Sequence, residues 1–281
     1  MIKVLNPGIY SSVQDQGRLG FAKMGVPISG AMDSYSSEIG NTLLKNRRKE
    51  ATIEITFGGA KFQFTQDAYI CITGADFSPQ LNDEVLEMST VYHVRKGSVL
   101  SFGKRKYGVR TYVAVQGGVQ TAELLKSKSF FSGVTSQFQL KKGDQLPILP
   151  KEPYENKGFS KIRVFREYFE WDELECYPGP EYDLLSTEQK EKLNRAFTIS
   201  DDNNRMGYCL EEKIDNKLES ILTSAVLPGT VQLTPSGKLI VLMRDAQVTG
   251  GYPRVLQLCE FALNILSQKM MGEQVKFVMI I

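Results

Sequence analysis

The chain has 281 residues, 42% of them hydrophobic and 23% charged, with a formal net charge of +2. That length accommodates one large domain or two ordinary ones, and the composition is globular. So small a net charge gives no argument for nucleic acid or an anionic membrane as partner. No apolar run reaches the length of a membrane span, and MIKVLNPGIY lacks the apolar core of a signal peptide, so a cytoplasmic protein is expected.

The first informative segment is SVQDQGRLGFAKMGVPISGAMD, residues 12–33. Its apolar residues follow neither a helical nor a strand period, and its glycines permit turns and close backbone approach. An irregular segment that also carries Gln14, Asp15, Arg18, Ser29 and Asp33 is where folds tend to place binding groups; the alternative is a structural loop. Asp33 then predicts the cap of a helix running to Lys45, with Tyr35, Ile39 and Leu43 on one face. Short β-branched and aromatic runs follow: KFQF (61–64), YICIT (69–73), TVYHV (90–94), VLSF (99–102) and TYVAV (111–115). Between them lie EITFGG from Glu54 and TGAD ending at Asp76, a carboxylate expected at a strand end.

LPKEPYENKGFS (149–160) combines Pro, Gly and charge, and is the expected linker, with 151–159 dividing an N-terminal domain 1–150 from a C-terminal domain 160–281. Beyond it come the expected strand KIRVF (161–165) and a capping box at Ser186 and Gln189, followed by Leu193 and Phe197. NNRMGY contains Arg205. TVQLT and LIVLM read as a hairpin about a Pro-Ser-Gly turn. RDAQVTGGYPR (244–254) carries Asp245, Gln247, Gly250 and Gly251, and Pro253 is read as the first turn of a long helix to about Met271. A Gly-Gly turn opening a helix would present backbone N–H groups to an anion; the alternative is that the glycines only make the turn. VKFVMII (275–281) is the last expected strand. Short strands with few helices on each side of the linker predict a mainly β chain (α+β) of two barrel-like units, not a doubly wound sheet.

Candidate chemistry is limited by what the chain lacks. Cys71, Cys176, Cys209 and Cys259 form no C-x-x-C pair or zinc spacing and read as reduced, mostly buried residues. His93 is the single histidine and reads as structural; one histidine excludes a multi-histidine metal centre but not a carboxylate-only site for a hard cation, and no metal is assigned. No Walker A sequence is present, and no G-x-G-x-x-G follows a strand. Carboxylates stand in these glycine-rich segments at Asp15, Asp33, Glu54 and Asp76, candidates for acid–base work if the chain is an enzyme, with Asp245 a further carboxylate. Arg18 and Arg205 are candidate anion clamps, since a guanidinium binds carboxylate or phosphate bidentately; an ion pair with a neighbouring Asp is the alternative for each.

The run VQDQGRLGFAKMGVPISGAMD, taken with EIT (54–56), Gly58-Gly59, TGAD (73–76), AVQGG (114–118), PGP (178–180), RMGY (205–208), PGTVQ (228–232) and DAQVTGGYP (245–253), resembles the KipA / allophanate-hydrolase-subunit-2 family, also called biotin-dependent carboxyltransferase-like, which includes the C subunit of bacterial 5-oxoprolinase. The resemblance is collinear and covers nearly the whole chain. It implies two cyclophilin-like β-barrel domains. It implies a KipI-like B subunit and an A subunit as partners, and ATP as cofactor of a complex that opens 5-oxoproline, a lactam, to glutamate, with the chain inactive alone. Gln14, Ser29, Gln232, Gln247, Gly250 and Gly251 join Arg18, Arg205 and Asp245 as expected substrate or anion contacts. The same resemblance implies two alternatives: a regulator that antagonises a KipI-like kinase inhibitor, or a carboxyltransferase module using carboxybiotin on a separate carrier. Segments 14–33, 54–59, 73–76, 203–208 and 245–252 are expected to meet on one surface. LKSKS (125–129) departs from the family's usual Leu-Gly-Ser-Arg-Ser, Glu181 from its usual Gln or His, and Asn203 from a frequent Ser.

Overall fold

The computed structural model describes residues 1–154 and 166–280. The chain divides into two compact units, Met1–Arg18 with Ser29–Phe169, and Leu19–Ile28 with Glu170–Ile281. The linker expected at 151–159 is described only to Tyr154, and the expected strand 161–165 lies outside the described residues.

In the first unit the elements are β1 (Ile2–Pro7), β2 (Tyr10–Gln14), α1 (Ser34–Leu43), β3 (Thr52–Thr56), β4 (Ala60–Phe64), β5 (Ala68–Asp76), β6 (Gln80–Leu81), β7 (Glu84–Val85), β8 (Val91–Val94), β9 (Val99–Ser101), β10 (Tyr107–Val115) and β11 (Gln145–Leu146), with α2 (Glu167–Glu170) at its end. They form a six-stranded sheet in the order β11-β1-β4-β9-β6-β7 and a five-stranded sheet in the order β2-β3-β10-β5-β8. Strand alternation turns Ile2, Val4, Phe62 and Phe64 of the first sheet toward Val13, Ile53, Ile55, Ile70, Ile72, Val113 and Val115 of the second, in one buried cluster. The intervening residues of the five-stranded sheet, Thr52, Glu54, Thr73, Tyr112 and Ala114, are also buried. Their cover is α1, which approaches so closely that a methyl on Gly40 would lie 3.0 Å from the Ala114 Cβ.

The helix is capped as expected, with the Asp33 side chain accepting from the Ser36 N–H. Its buried face is different from the expected one. Ser36, Ser37, Ile39, Gly40 and Asn41 are buried, while Tyr35 is exposed. The sheet face beneath is rich in polar groups, so small polar residues pack there: Ser37 meets Thr52 at 3.0 Å and Thr73 Oγ1 donates to the Ser36 carbonyl at 2.7 Å.

The second unit contains β12 (Glu173–Pro178), α3 (Thr187–Leu193), β13 (Ala196–Asn203), β14 (Gly207–Lys213), β15 (Ser224–Ala225), β16 (Thr230–Leu233), β17 (Lys238–Leu242), β18 (Thr249–Gly250), β19 (Arg254–Leu258), α4 (Glu260–Ser267) and β20 (Gln274–Met279). Seven strands close a barrel, β12-β19-β16-β17-β14-β13-β20, whose pairings are antiparallel except the parallel β12–β20 seam. The hairpin β16–β17 and the Ser186–Gln189 capping box form as expected. Phe197 lies on β13, not on the preceding helix, with its ring 5.5 Å from Phe277.

The long helix expected from Pro253 does not form. Arg254–Leu258 is a barrel strand paired on both sides, and the helix begins only at Glu260, capped by Cys259. The run VLQLC satisfies either period, and two waiting strand edges outweigh helix propensity. Among the described residues no helix is long and apolar enough to cross a membrane.

The β5–β10 ladder shifts register between Tyr107 and Thr111, and Gly74 sits at this bulge with φ +82°. A methyl there would lie 2.4 Å from the Arg110 carbonyl oxygen. Gly133 has a similar φ of +85° but nothing within 4 Å. Gly74→Ala should therefore destabilise the chain by about 3 kcal/mol or more and Gly133→Ala by about 1 kcal/mol, measured by urea unfolding.

Candidate functional site

The five-stranded sheet sets a row of side chains across its outer face, since Ser12 faces Glu54, Glu54 faces Tyr112 and Tyr112 faces Thr73 in register. Glu54, Tyr112 and Asp33 are fully buried. The Glu54 Oε2 accepts from the Met32 N–H at 2.8 Å and from the Tyr112 hydroxyl at 2.9 Å. The Tyr112 oxygen in turn accepts from the Asp33 N–H at 2.8 Å, which leaves its proton for Glu54. Asp33 Oδ1 accepts from Ser36 N and from the Tyr168 hydroxyl, both at 3.0 Å, and Oδ2 accepts from Ser36 Oγ at 2.5 Å. Burial, then the charges of Glu54 and Asp33, hold the Tyr112 phenol far above its usual range; burial, then Asp33, does the same for Tyr168. Both tyrosines are thus fixed as donors.

Beside this row the segments 14–18 and 29–33 touch. Ala31 N donates to the Asp15 carbonyl at 2.8 Å, and a methyl on Gly30 would sit 2.9 Å from the Gly17 nitrogen. Arg18 is fully buried and donates to the Ser129 carbonyl. Gln14 donates to Ser12 Oγ and to the Phe130 carbonyl. The Gln14 Oε1 and the Ser29 hydroxyl are buried with no hydrogen-bond partner among the described residues.

Asp15 has a different occupation. Its Oδ1 accepts from Gly17 N at 2.8 Å and from the Ser127 and Ser129 hydroxyls at 2.6 Å, and its Oδ2 from Lys128 N at 2.6 Å. A carboxylate with four donors is a tie for the 124–130 turn. That turn needs one: Leu125 and Lys126 both have left-handed backbone, at φ +53° and +61°, between the reciprocal Leu124–Ser127 bonds. Lys126 is the position where the family resemblance expects glycine. Asp76 lies apart at the bulged end of β5, accepting from Ser78 N at 2.7 Å and pairing with Lys106 Nζ at 3.1 Å.

In the second unit Arg205 and Asp245 find each other. Arg205 Nε donates to Oδ2 at 2.7 Å and Nη2 to Oδ1 at 3.1 Å, both side chains being buried. The buried Gln232 has its Nε2 2.5 Å from where a methyl on Gly250 would lie, so Gly250 is a close-packing glycine. Gly250 and Gly251 lead into β19 and not into a helix, so the helix N-terminus expected there for an anion is absent. Gln247 is exposed. Glu181, one of the departures from the family pattern, grips Arg254 through both oxygens at 2.7 and 2.9 Å.

His93 is on the edge strand β8, 3.4 Å from Asp67 and 5.2 Å from the Tyr69 ring centroid. The cysteines are free, Cys71 and Cys176 being buried and their thiols pushed up to about 12 chiefly by that burial. Two hollows, a cleft of about 510 Å³ lined by Lys45, Asn46, Arg47, Gln116 and Tyr154 among others and one of about 330 Å³ around Lys192, Arg195 and Lys213, include none of the expected site residues. Sequence reasoning missed Tyr112 and Tyr168. Tyr112 was visible as the outward position of TYVAV, opposite Glu54; nothing local marked Tyr168.

Two outcomes follow for the second unit. Asp245→Asn leaves a buried guanidinium without its counter-charge and should cost about 3 kcal/mol in urea unfolding. Arg254, through its hydrogen bonds first, holds the Glu181 carboxyl below the ordinary range. Because the folded-state value is the lower one, this stabilisation is present above the unfolded-state value and is lost as pH falls through the folded one. Glu181→Gln should therefore flatten the acid-side fall in stability between about pH 5 and pH 3, and unfolding curves across that window measure it.

The Carboxyltransferase domain, subdomain A and B, family model matches residues 24–279. The chain is 32% identical to the C subunit of 5-oxoprolinase from Escherichia coli (strain K12) over 289 residues, covering 99% of this chain and 91% of that protein. It is 38% identical to urea amidolyase of Lachancea kluyveri over 226 residues, 74% of this chain and 12% of that one. It superposes on the crystal structure of the Kluyveromyces lactis urea carboxylase with a TM-score of 0.88 and 27% identity, covering 99% of this chain and 27% of that one, so it spans about a quarter of that enzyme. The match of nearly every residue from the Gly-rich segment to the last barrel strand means that the chain belongs to the carboxyltransferase subdomain A and B family.

Proposed function

We propose that the chain is the C subunit of an ATP-dependent 5-oxoprolinase, a cytoplasmic complex in which it works with a KipI-like B subunit and an A subunit to open 5-oxoproline to glutamate. The observation that carries this reading is the identity to a 5-oxoprolinase C subunit along almost the full length of both chains. The first unit supports it chemically. A lactam offers one N–H and one carbonyl, and Gln14 Oε1 and the Ser29 hydroxyl are a buried acceptor and a buried donor without partners among the described residues. Arg18 supplies a buried cation for a carboxylate, and Glu54 and Asp33, each held by a phenol, are the carboxylates for proton transfer. ATP, when bound to the complex, supplies activation of the lactam oxygen by phosphorylation.

A second reading, a carboxyltransferase module of a biotin-dependent system, is favoured by the urea amidolyase match. The two are separated by co-expressing the chain with its neighbouring genes and assaying both reactions. We expect ATP-dependent glutamate release from 5-oxoproline by the complex, no release by this chain alone, and a loss of at least about 100-fold in Glu54→Gln. Carboxyl transfer without glutamate release would select the second reading, and turnover by the isolated chain would overturn the division of labour.

A further inference from the structure

Tyr168 reaches the candidate site from 135 residues along the chain, and no feature of the sequence motifs points to it. It is 4% exposed, and its ring is held by neighbours on both sides. Tyr35, the exposed first-turn residue of α1, packs on it at 5.4 Å between centroids. Phe169 meets it edge-on at 5.0 Å, and Phe169 in turn lies 4.8 Å from Tyr107. The Arg166 guanidinium stands 5.7 Å over the Tyr107 ring. This ladder of rings fixes where the Tyr168 hydroxyl points, and it points at Asp33 Oδ1.

We propose that Tyr168 is a positioning residue of the site: its hydroxyl locks Asp33, whose backbone N–H orients the Tyr112 phenol, whose proton is thereby committed to Glu54. The polarity of the chain is fixed at each link. Tyr168 donates to a carboxylate oxygen. The Asp33 N–H can only donate, so the Tyr112 oxygen must accept there and give its hydrogen to Glu54 Oε2. The Asp33 carboxylate also accepts from Ser36 of its own helix turn, and the Tyr168 hydroxyl brings to the same oxygen a donor from an element remote in sequence. Glu54 is then held in one orientation, with Oε2 engaged by the Met32 N–H and the Tyr112 phenol. This role rests on the 5-oxoprolinase reading for its reaction but not for its geometry.

Tyr168→Phe keeps the ring and its stacking and removes only the hydroxyl. In the reconstituted complex we expect kcat for 5-oxoproline to fall about 10-fold with KM and partner binding unchanged, since the residue acts through Asp33 and not on substrate. Asp33→Asn retains a capping side chain, and the double variant Asp33→Asn/Tyr168→Phe should be no slower than Asp33→Asn alone. Full kcat in Tyr168→Phe, or losses that add in the double variant, would overturn the proposal. If the wild-type complex releases no glutamate, the 5-oxoprolinase reading fails, and the isolated chain decides the positioning role by tyrosinate absorbance. Among the described residues the titratable and charged groups acting on these phenols include Glu54, Asp33 and Arg110 at Tyr112 and Asp33, Tyr112 and Tyr35 at Tyr168. Asp33→Asn should bring the late-titrating tyrosines to lower pH, and it should move one fewer of them when made in the Tyr168→Phe background. An Asp33→Asn change that moves the same tyrosines with and without Tyr168 overturns it.

Discussion

The first unit is organised around the burial of two carboxylates against a sheet. Glu54 and Asp33 are out of contact with water, and an ionised carboxylate there is tolerable only with several donors in place. This requirement explains much of the surrounding sequence. Thr52, Thr73 and Tyr112 make the outer face of the five-stranded sheet polar, and the small polar face of α1 fits over it. The Gly30 backbone comes within contact of residues 15–17, bringing Met32 N and Asp33 N to the carboxylate and the phenol they serve. A purely apolar interface would hold the helix as firmly but could not hold charge.

Much of this was legible beforehand. The β-rich character, the hairpin at 230–242, the Asp33 cap and the family resemblance all came from local patterns of residues. What was not legible depended on which edges were open in space. VLQL fits a helix as well as a strand by its local pattern; it becomes a strand between β12 and β16. The helix face was misjudged for a related reason, because Tyr35 looks like a core residue until the polar sheet beneath α1 is known.

The candidate residues divide by what already satisfies them. Asp15, Arg205, Asp245 and Glu181 are engaged by four donors, by each other, or by Arg254, and these contacts read as structural ties. The sequence could name them as charged and near glycine, but charge complementarity across 40 or 73 residues of chain is invisible to it. Gln14, Ser29 and Glu54 remain the better candidates for chemistry, because each is buried in the polar layer and two of them have polar atoms without a described partner.

The barrel of the second unit is closed by its last strand. β20 runs parallel to β12, with Glu173 opposite Lys276, and also pairs antiparallel with β13. During synthesis β12 and β13 emerge early with edges that no intervening strand can seal in this way. The whole unit must be made before the cylinder can shut, so the entropy of closing its longest loop falls due at the final step. Until then the chain carries exposed strand edges of the kind that pair with other chains.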